Sequence, residues 1–346
     1  MIRSSAVLGA VVTGAVLVGG MLAAGVAQAQ GSGSATLDAV RARGQVACGV
    51  GGSTPGFSLP DSQGVMRGLD ADGCRMVAAA ALGDASKVKF VPLTTQNRFT
   101  ALQSGEVDML ARTTTWTLGR EANLGGLFAG INFYDGTGFL VKKASGVKSL
   151  TEMDGATICV QSGTSTELAI ADWYRVHNMK FTPILMEAQP EVQAAFMSGR
   201  CDSFSDDSSQ LATFRAVQPN KDDFVLLPEI ISKEPLAYMV RKGDDKWFDL
   251  VRWAHFAQLS AEEEGVTSKN VDEMLTSKSP DVRRLLGVEG DMGKALGVDN
   301  RWAYNIIKQV GNFAEMWDRN MTVLGVPRGI NALWNKGGLQ YAPPIL

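Results

Sequence analysis

Val88-Lys89-Phe90-Val91, Arg98-Phe99-Thr100-Ala101-Leu102-Gln103-Ser104-Gly105 and Val107-Asp108-Met109-Leu110-Ala111 decide the fold. The first alternates as a strand does, the second is a short helix ended by glycine, and the third is strand-like again. Upstream, residues 37–44 read as a short helix and Gln45 to Val50 as a strand, followed by a Gly/Ser/Pro loop over 51–60. Asp72 can cap a helix carrying Met76, Val77, Ala80 and Ala81 on one face. The order β-α-β-α-β predicts an α/β layer.

Further on the pattern repeats. Gly138 to Val141, Ala156 to Val160, Thr182 to Met186, Asp202 to Ser205 and Phe224 to Leu227 read as strands. Helices fall at Thr166 to His177 and at Glu191 to Met197, the latter ended by Gly199. Extended runs near Tyr134–Lys143 and Glu234–Lys242 can carry the chain out of a first domain and back. The remainder is mostly helical: Trp302, Ile306, Val310, Phe313 and Trp317 recur at helical spacing, with Asn300 as a cap. Packing explains that stripe. The tail from Gly337 to Pro344 reads as extended and surface-lying.

The amino terminus reads differently. Met1-Ile2-Arg3 is followed by an apolar run to about Val26 and by Ala27-Gln28-Ala29, an A-x-A cleavage pattern. Residues 1–29 are therefore expected to be a signal peptide cut near Ala29/Gln30. The alternative is a membrane anchor. No cysteine follows the run, so a lipoprotein route is not expected. About 317 residues remain, enough for two domains. The charges nearly balance, with 33 Lys+Arg against 36 Asp+Glu and no block of one sign, which leaves nucleic acid without an electrostatic footprint.

Cys48, Cys74, Cys159 and Cys201 suit an oxidising compartment, and none has the close C-x-x-C spacing of a zinc site. Sequence alone leaves three pairings open. If the first two lie in one domain and the last two in another, Cys48–Cys74 and Cys159–Cys201 follow, each worth about 3–4 kcal/mol in the chain-entropy model. Free buried thiols are the other possibility.

Enzyme motifs are scarce. There are two histidines, one at a helix end and one in an apolar helix, and both read as structural. Ser53 lacks a nucleophile-elbow frame. Gly293-Lys294 resembles a phosphate loop, but Ala295 and Val288 break that pattern. A binding constellation remains. Thr113-Thr114-Thr115-Trp116-Thr117-Leu118-Gly119-Arg120 follows a strand and offers hydroxyls, N–H groups and then a guanidinium fork, which suits a carboxylate. Gln161-Ser162-Gly163-Thr164-Ser165-Thr166 is a second hydroxyl-rich turn, and Asp206-Asp207 is acidic. Together they suggest a zwitterion, an amino acid. The plainer reading makes Arg120 a solvated helix residue paired with Glu121.

These residues resemble a family. Thr113-x-Thr115-x-x-x-x-Arg120, Gln161-Ser162-Gly163-Thr164 and Gly199-Arg200-Cys201-Asp202-x-x-x-x-Asp207 are similar to the polar amino-acid-binding proteins of bacterial ABC transporters, solute-binding protein family 3. The similarity spans the mature chain and takes in Pro55-Gly56-Phe57 and Phe99 to Asp108. The cysteine positions, Ile231 to Pro235, Gly265 to Asn270 and Gly338 to Pro344 resemble the general L-amino-acid-binding subgroup.

The resemblance implies an α/β, two-lobed periplasmic-binding-protein fold of type II, with two extended hinge crossings and a helical C-terminal extension. Lobe 1 is expected over 30–137 and 240–346, and lobe 2 over 138–239. It implies that Arg120 holds the α-carboxylate with Thr115 and Thr164. Asp207 would hold the ammonium with Thr113, and Ser165 would act through its N–H. Gln161 and Asp206 stand where relatives vary, Arg98 where acidic-amino-acid binders meet the ligand side chain, and Phe57 would wall the pocket or pack in the core. The expected protein is a periplasmic monomer that is no enzyme and holds no cofactor or metal. It would capture L-amino acids broadly and deliver them to inner-membrane ABC permease subunits with a separate ATPase. The alternatives are a periplasmic dehydratase-like enzyme on the same fold or a ligand-presenting sensor component.

Overall fold

The computed structural model describes residues 32–346, so the expected signal peptide lies outside the described residues. Twelve strands are named in chain order. They are β1 (Val46–Val50), β2 (Leu59–Pro60), β3 (Met66–Arg67), β4 (Val88–Pro92), β5 (Met109–Leu110), β6 (Gly126–Asp135), β7 (Thr137–Lys142), β8 (Ala156–Gln161), β9 (Phe181–Met186), β10 (Ser203–Asp207), β11 (Phe224–Leu226) and β12 (Glu234–Arg241).

Two five-stranded sheets result, in the orders β4-β1-β5-β12-β6 and β11-β7-β10-β8-β9, and β2 and β3 form a small hairpin. In the first sheet β1 runs parallel to β4 and β5, while β12 is antiparallel to β5 and β6. The second repeats this mixed plan, with β8 parallel to β9 and β10, and β7 antiparallel to β10 and β11. The sequence pattern does not announce β6, because Gly126 and Gly130 interrupt its apolar run.

The chain leaves the first sheet between β6 and β7 and returns through β12. Those crossings lie side by side, with Asp135 opposite Glu234 and Tyr134 opposite Pro235. The return begins at Glu234, since β12 already pairs within the first sheet from that residue on.

Helix Leu69–Leu82 packs on the first sheet through Leu69, Met76, Val77 and a run of alanines. Gly73 permits that approach: a Cβ there would lie 2.5 Å from the Tyr238 ring of β12. Asp72 does not cap this helix. Gly68 holds the cap position, and Asp72 sits in the first turn, where it receives Arg75, Arg319 and Asn320.

Helices Asp245–Glu263, Trp302–Val310 and Phe313–Asn320 complete the core of this half around Trp247, Trp302 and Trp317. The aromatic stripe thus belongs to two helices, broken at Gly311, with Asn312 and Glu315 forming a capping box that restarts the chain. Asn300 is not the cap before Trp302. Its side chain accepts from Gly293 N and donates to the carbonyls of Gly287 and Gly290.

Both disulfides close within one sheet's neighbourhood. Cys48 of β1 joins Cys74 of helix Leu69–Leu82 with a Cα–Cα distance of 5.9 Å. Cys159 of β8 joins Cys201, just before β10, at 5.6 Å. Among the described residues no cysteine is free, and no helix is long and apolar enough to cross a membrane.

Candidate ligand-binding cleft

The turns that leave the strand ends of the two sheets face one another. From the first half, Thr95, Arg98, Arg112, Thr113, Thr115 and Arg120 line a cleft. From the second half, Gln161, Thr164, Ser165, Thr166, Asp206, Asp207 and Gln210 close it. The enclosed cavity is about 20 Å³, room for about one water. Larger hollows exist elsewhere, about 280 Å³ beneath the C-terminal tail and about 510 Å³ beside Asp135 and Arg328, but they lack this convergence of opposed charges.

After β5 the chain runs along β12. Trp116 N–H donates to the Pro235 carbonyl at 2.8 Å, and Ala237 N–H to Thr114 at 3.0 Å. This fixes Thr113 and Thr115 at the cleft. Thr117 then caps the short helix Leu118–Asn123 by accepting the Arg120 N–H, and Arg120 Nη1 donates to Thr115 O at 2.9 Å. Glu121 is no partner of Arg120; it accepts the Trp116 indole N–H at 2.9 Å.

On the other side, Thr164 caps helix Ser165–Val176. Its hydroxyl donates to Gln161 O at 2.8 Å and accepts from Glu167 N at 3.2 Å, so it is spent inside its own turn. What this turn still offers an anion is backbone N–H and the positive end of a twelve-residue helix. Ser165 Oγ lies 3.1 Å from Thr115 Oγ1 across the cleft and donates to Glu234 Oε2 at 2.7 Å. Gln161 turns its amide to Glu187 O at 2.7 Å.

Two buried guanidiniums, Arg98 and Arg112, the half-buried Arg120 and several buried carboxylates share this space. Burial is the first cause of every shift. It lowers Arg98 well below its usual range, abetted by Arg112 and Arg120 and opposed by Asp207. It draws Arg112 down to about 10, with Asp206 and Asp70 opposing. It pushes Asp206 up to about 7 and raises Asp207 well above the carboxylate range, with Asp135 and Asp206 adding to the latter. None of the ion pairs formed among the described residues involves Arg98, Arg112 or Arg120. Arg98 Nε is buried with no acceptor among them. An arginine keeps its proton, so the site's demand is for an anion.

Nine of the ten residues expected at the site therefore line one cavity. Phe57 is the exception. It is fully buried, 5.4 Å from Phe133 between ring centroids, and belongs to the core of the first half. Its apolar ring gains more from that cluster than from a cleft lined by charge. Sequence reasoning missed Arg112, Gln210 and Thr95, and placed Thr166 in the hydroxyl-rich turn without assigning it to the site. Arg112 stands directly before the threonine run, and Gln210 stands three residues after Asp207 on the next helix, two signals that were available. Asp70, from a distant helix, accepts the Thr113 N–H and is itself pushed by burial up to about 7.

The two histidines play no part in the cleft. His255 is buried 3.0 Å from Ile131 O, with burial drawing it down to about 4, and His177 stacks on Trp173. No group of three or more His, Cys, Asp or Glu among the described residues is placed to hold a metal ion.

Two mixed α/β halves, hinged by paired crossings around a polar cleft, define a solute-binding protein of the periplasmic type. Residues 46–266 match the bacterial extracellular solute-binding proteins, family 3, and the chain belongs to that family. It is 50% identical over 322 residues to the general L-amino acid-binding periplasmic protein AapJ of Rhizobium johnstonii, covering 92% of this chain and 94% of that one. It is 51% identical over 316 residues to the glutamate/glutamine/aspartate/asparagine-binding protein BztA of Rhodobacter capsulatus, with 90% and 94% covered. Among solved structures, an ABC transporter periplasmic binding protein from Brucella ovis with glutathione bound superposes with a TM-score of 0.88. That protein is 50% identical, over 90% of this chain and 99% of its own. The family is one of binding proteins.

Proposed function

We propose that this chain is a periplasmic receptor that captures L-α-amino acids in the cleft and delivers them to an ABC permease. Hydrolysis would belong to a separate ATPase subunit. The lobes follow the sheets, one formed by the strands before residue 136 together with β12 and the C-terminal helices, the other by residues 137–233. The observation that carries the reading is the opposition of charge across the cleft. Arg120 and the N-terminus of helix Ser165–Val176 line the same cavity as Asp207. Such an array suits an α-carboxylate and an ammonium on one carbon.

Arg120 supplies the fork for the carboxylate, with the Thr115 hydroxyl and the N–H groups of Thr164 and Ser165 completing its hydrogen bonds. Asp207 takes the ammonium with Thr113. Arg98, Asp206 and Gln161 face the ligand side chain, and a cation beside an acid there suits side chains of several kinds. With room for about one water between the closed lobes, a ligand enters only when they part. It stabilises the closed form through contacts that form on closure. The protein acts as a monomer and performs no chemistry on its ligand.

The glutathione in the Brucella ovis structure favours a second reading within the same chemistry. The γ-glutamyl end of glutathione is itself an α-amino-acid zwitterion, and its far carboxylate is a second anion for Arg98. Calorimetry with the twenty L-amino acids, their α-amides, their N-acetyl derivatives and glutathione tests both readings. Binding is expected to vanish on amidation or acetylation. Undiminished affinity for an α-amide would remove Arg120 from its role, and turnover of any ligand to a new product would remove the transport reading.

A further inference from the structure

A chain of hydrogen bonds runs between the lobes from Thr54 and Gln189, which do not line the cleft, to Asp206, Gln210 and Asp207, which do. Thr54, in the loop after β1 in the first lobe, donates its hydroxyl to Gln189 Oε1 at 2.7 Å, and Ser53 approaches the same oxygen at 3.4 Å. Gln189 opens helix Gln189–Met197 in the second lobe. Its Nε2 donates to Asp206 Oδ2 at 3.0 Å and to Gln210 Oε1 at 3.3 Å. Gln210 Nε2 in turn donates to Asp207 Oδ2 at 2.8 Å. Thr54, Gln189, Asp206, Gln210 and Asp207 are all buried.

The amide of Gln189 has one orientation that works. While Asp206 is ionised its nitrogen faces Asp206 Oδ2 and Gln210 Oε1, because the amide oxygen turned that way would meet two acceptors with no proton between them. The oxygen is then left for a donor, and the donor comes from the other lobe. Opening the lobes removes Thr54 and exposes that oxygen to water. Closing them pins the amide, and the pinned amide holds Gln210 toward Asp207. We propose that Gln189 is a closure latch, a positioning residue through which contact with Thr54 orders the acid pair that receives the ligand's ammonium. This rests on the amino-acid reading given above for the role of Asp207, while the Thr54–Gln189 contact itself needs no ligand.

The test uses the mature protein and its Thr54→Val, Thr54→Ser, Gln189→Leu and Thr54→Val/Gln189→Leu variants. Dissociation of L-glutamine and L-glutamate is followed by stopped-flow tryptophan fluorescence. Each of Thr54→Val and Gln189→Leu is expected to dissociate about tenfold faster, the loss of one buried hydrogen bond. The double variant is expected to be no faster than the quicker single one, and Thr54→Ser is expected to restore the slow rate. A Thr54→Val rate within twofold of the unsubstituted protein overturns the latch, as does a Thr54→Ser variant as impaired as Thr54→Val. A protein that binds none of the twenty amino acids fails the transport reading alone. Small-angle scattering then decides the latch: Thr54→Val and Gln189→Leu must show a larger radius of gyration than the unsubstituted protein, and equal radii overturn it.

Discussion

Asp70 Oδ2 accepts the Thr113 N–H at 3.0 Å and holds Thr113 at φ +42°, in the left-handed region that a β-branched residue avoids. Such a conformation costs about 1–3 kcal/mol and persists only where its surroundings impose it. Asn132 steadies the other oxygen of Asp70 at 3.2 Å. Thr113→Gly is expected to raise thermal stability by up to about 1 kcal/mol while weakening ligand binding. Asp70→Ala is expected to weaken binding about tenfold or more by freeing the Thr113 backbone. Calorimetry and thermal unfolding of both variants check this, and a Thr113→Gly protein less stable than its parent would show that the strain is not there.

Arg120 should not be replaceable by lysine. Its planar fork already spends one N–H on Thr115 O, and the side chain lines the cleft. A lysine supplies charge without that geometry. Arg120→Lys is expected to raise the Kd for L-amino acids by about 10-fold or more, since charge-assisted hydrogen bonds are worth about 1.5–3 kcal/mol each. Equal affinity in a calorimetric titration would move the carboxylate site elsewhere.

The buried acids make stability depend on pH. Asp206 and Asp70 both sit at about 7 in the folded protein against an ordinary 3.8. The folded chain therefore binds protons that the unfolded chain has released. Their contribution is fully present below about pH 4, declines as pH rises, and is lost above about pH 7. Ligand-free protein is expected to resist urea better at pH 5 than at pH 8, and Asp206→Asn should flatten the profile. Ligand affinity should run the opposite way, because an ammonium needs an ionised acid. Titrations in buffers of different ionisation enthalpy should show proton release on binding near pH 6.

The second disulfide should matter to its own lobe. Cys159 and Cys201 are 42 residues apart in sequence, and their bond joins β8 to the start of β10. Its removal in Cys159→Ser/Cys201→Ser should cost about 3–4 kcal/mol. Hydrogen exchange is expected to rise in the strands of the second sheet and stay unchanged in the first. Uniform loss of protection would mean that the two halves unfold as one unit.

Legibility in the sequence followed physical locality. The helix ended by Gly105 was readable because a single left-handed glycine stops it, at φ +81°. The α/β order was readable because short apolar runs alternate with helical patterns. Most of the cleft was readable through resemblance, because its parts lie in turns right after strands. The stripe from Trp302 to Trp317 misled because periodicity stays in phase through the break, although Asn312 and Glu315 carried the capping-box spacing of a new start. Asp72 looked like a cap because an acid precedes an apolar run, yet Gly68 makes the turn. Gln189, Asp70 and Asn132 could not be read at all. Each reaches the cleft's machinery across a long sequence separation, and nothing local distinguishes them from polar residues facing water.

The two disulfides also say something about motion. Each staple ties a strand to its own neighbourhood, and neither spans the crossings where Asp135 and Glu234 lie opposite one another. Oxidation thus stiffens each jaw and leaves the joint untouched. This separates endurance from movement: the covalent bonds guard the jaws against unfolding, while the stroke between them is left to noncovalent contacts, which a single side chain can tune.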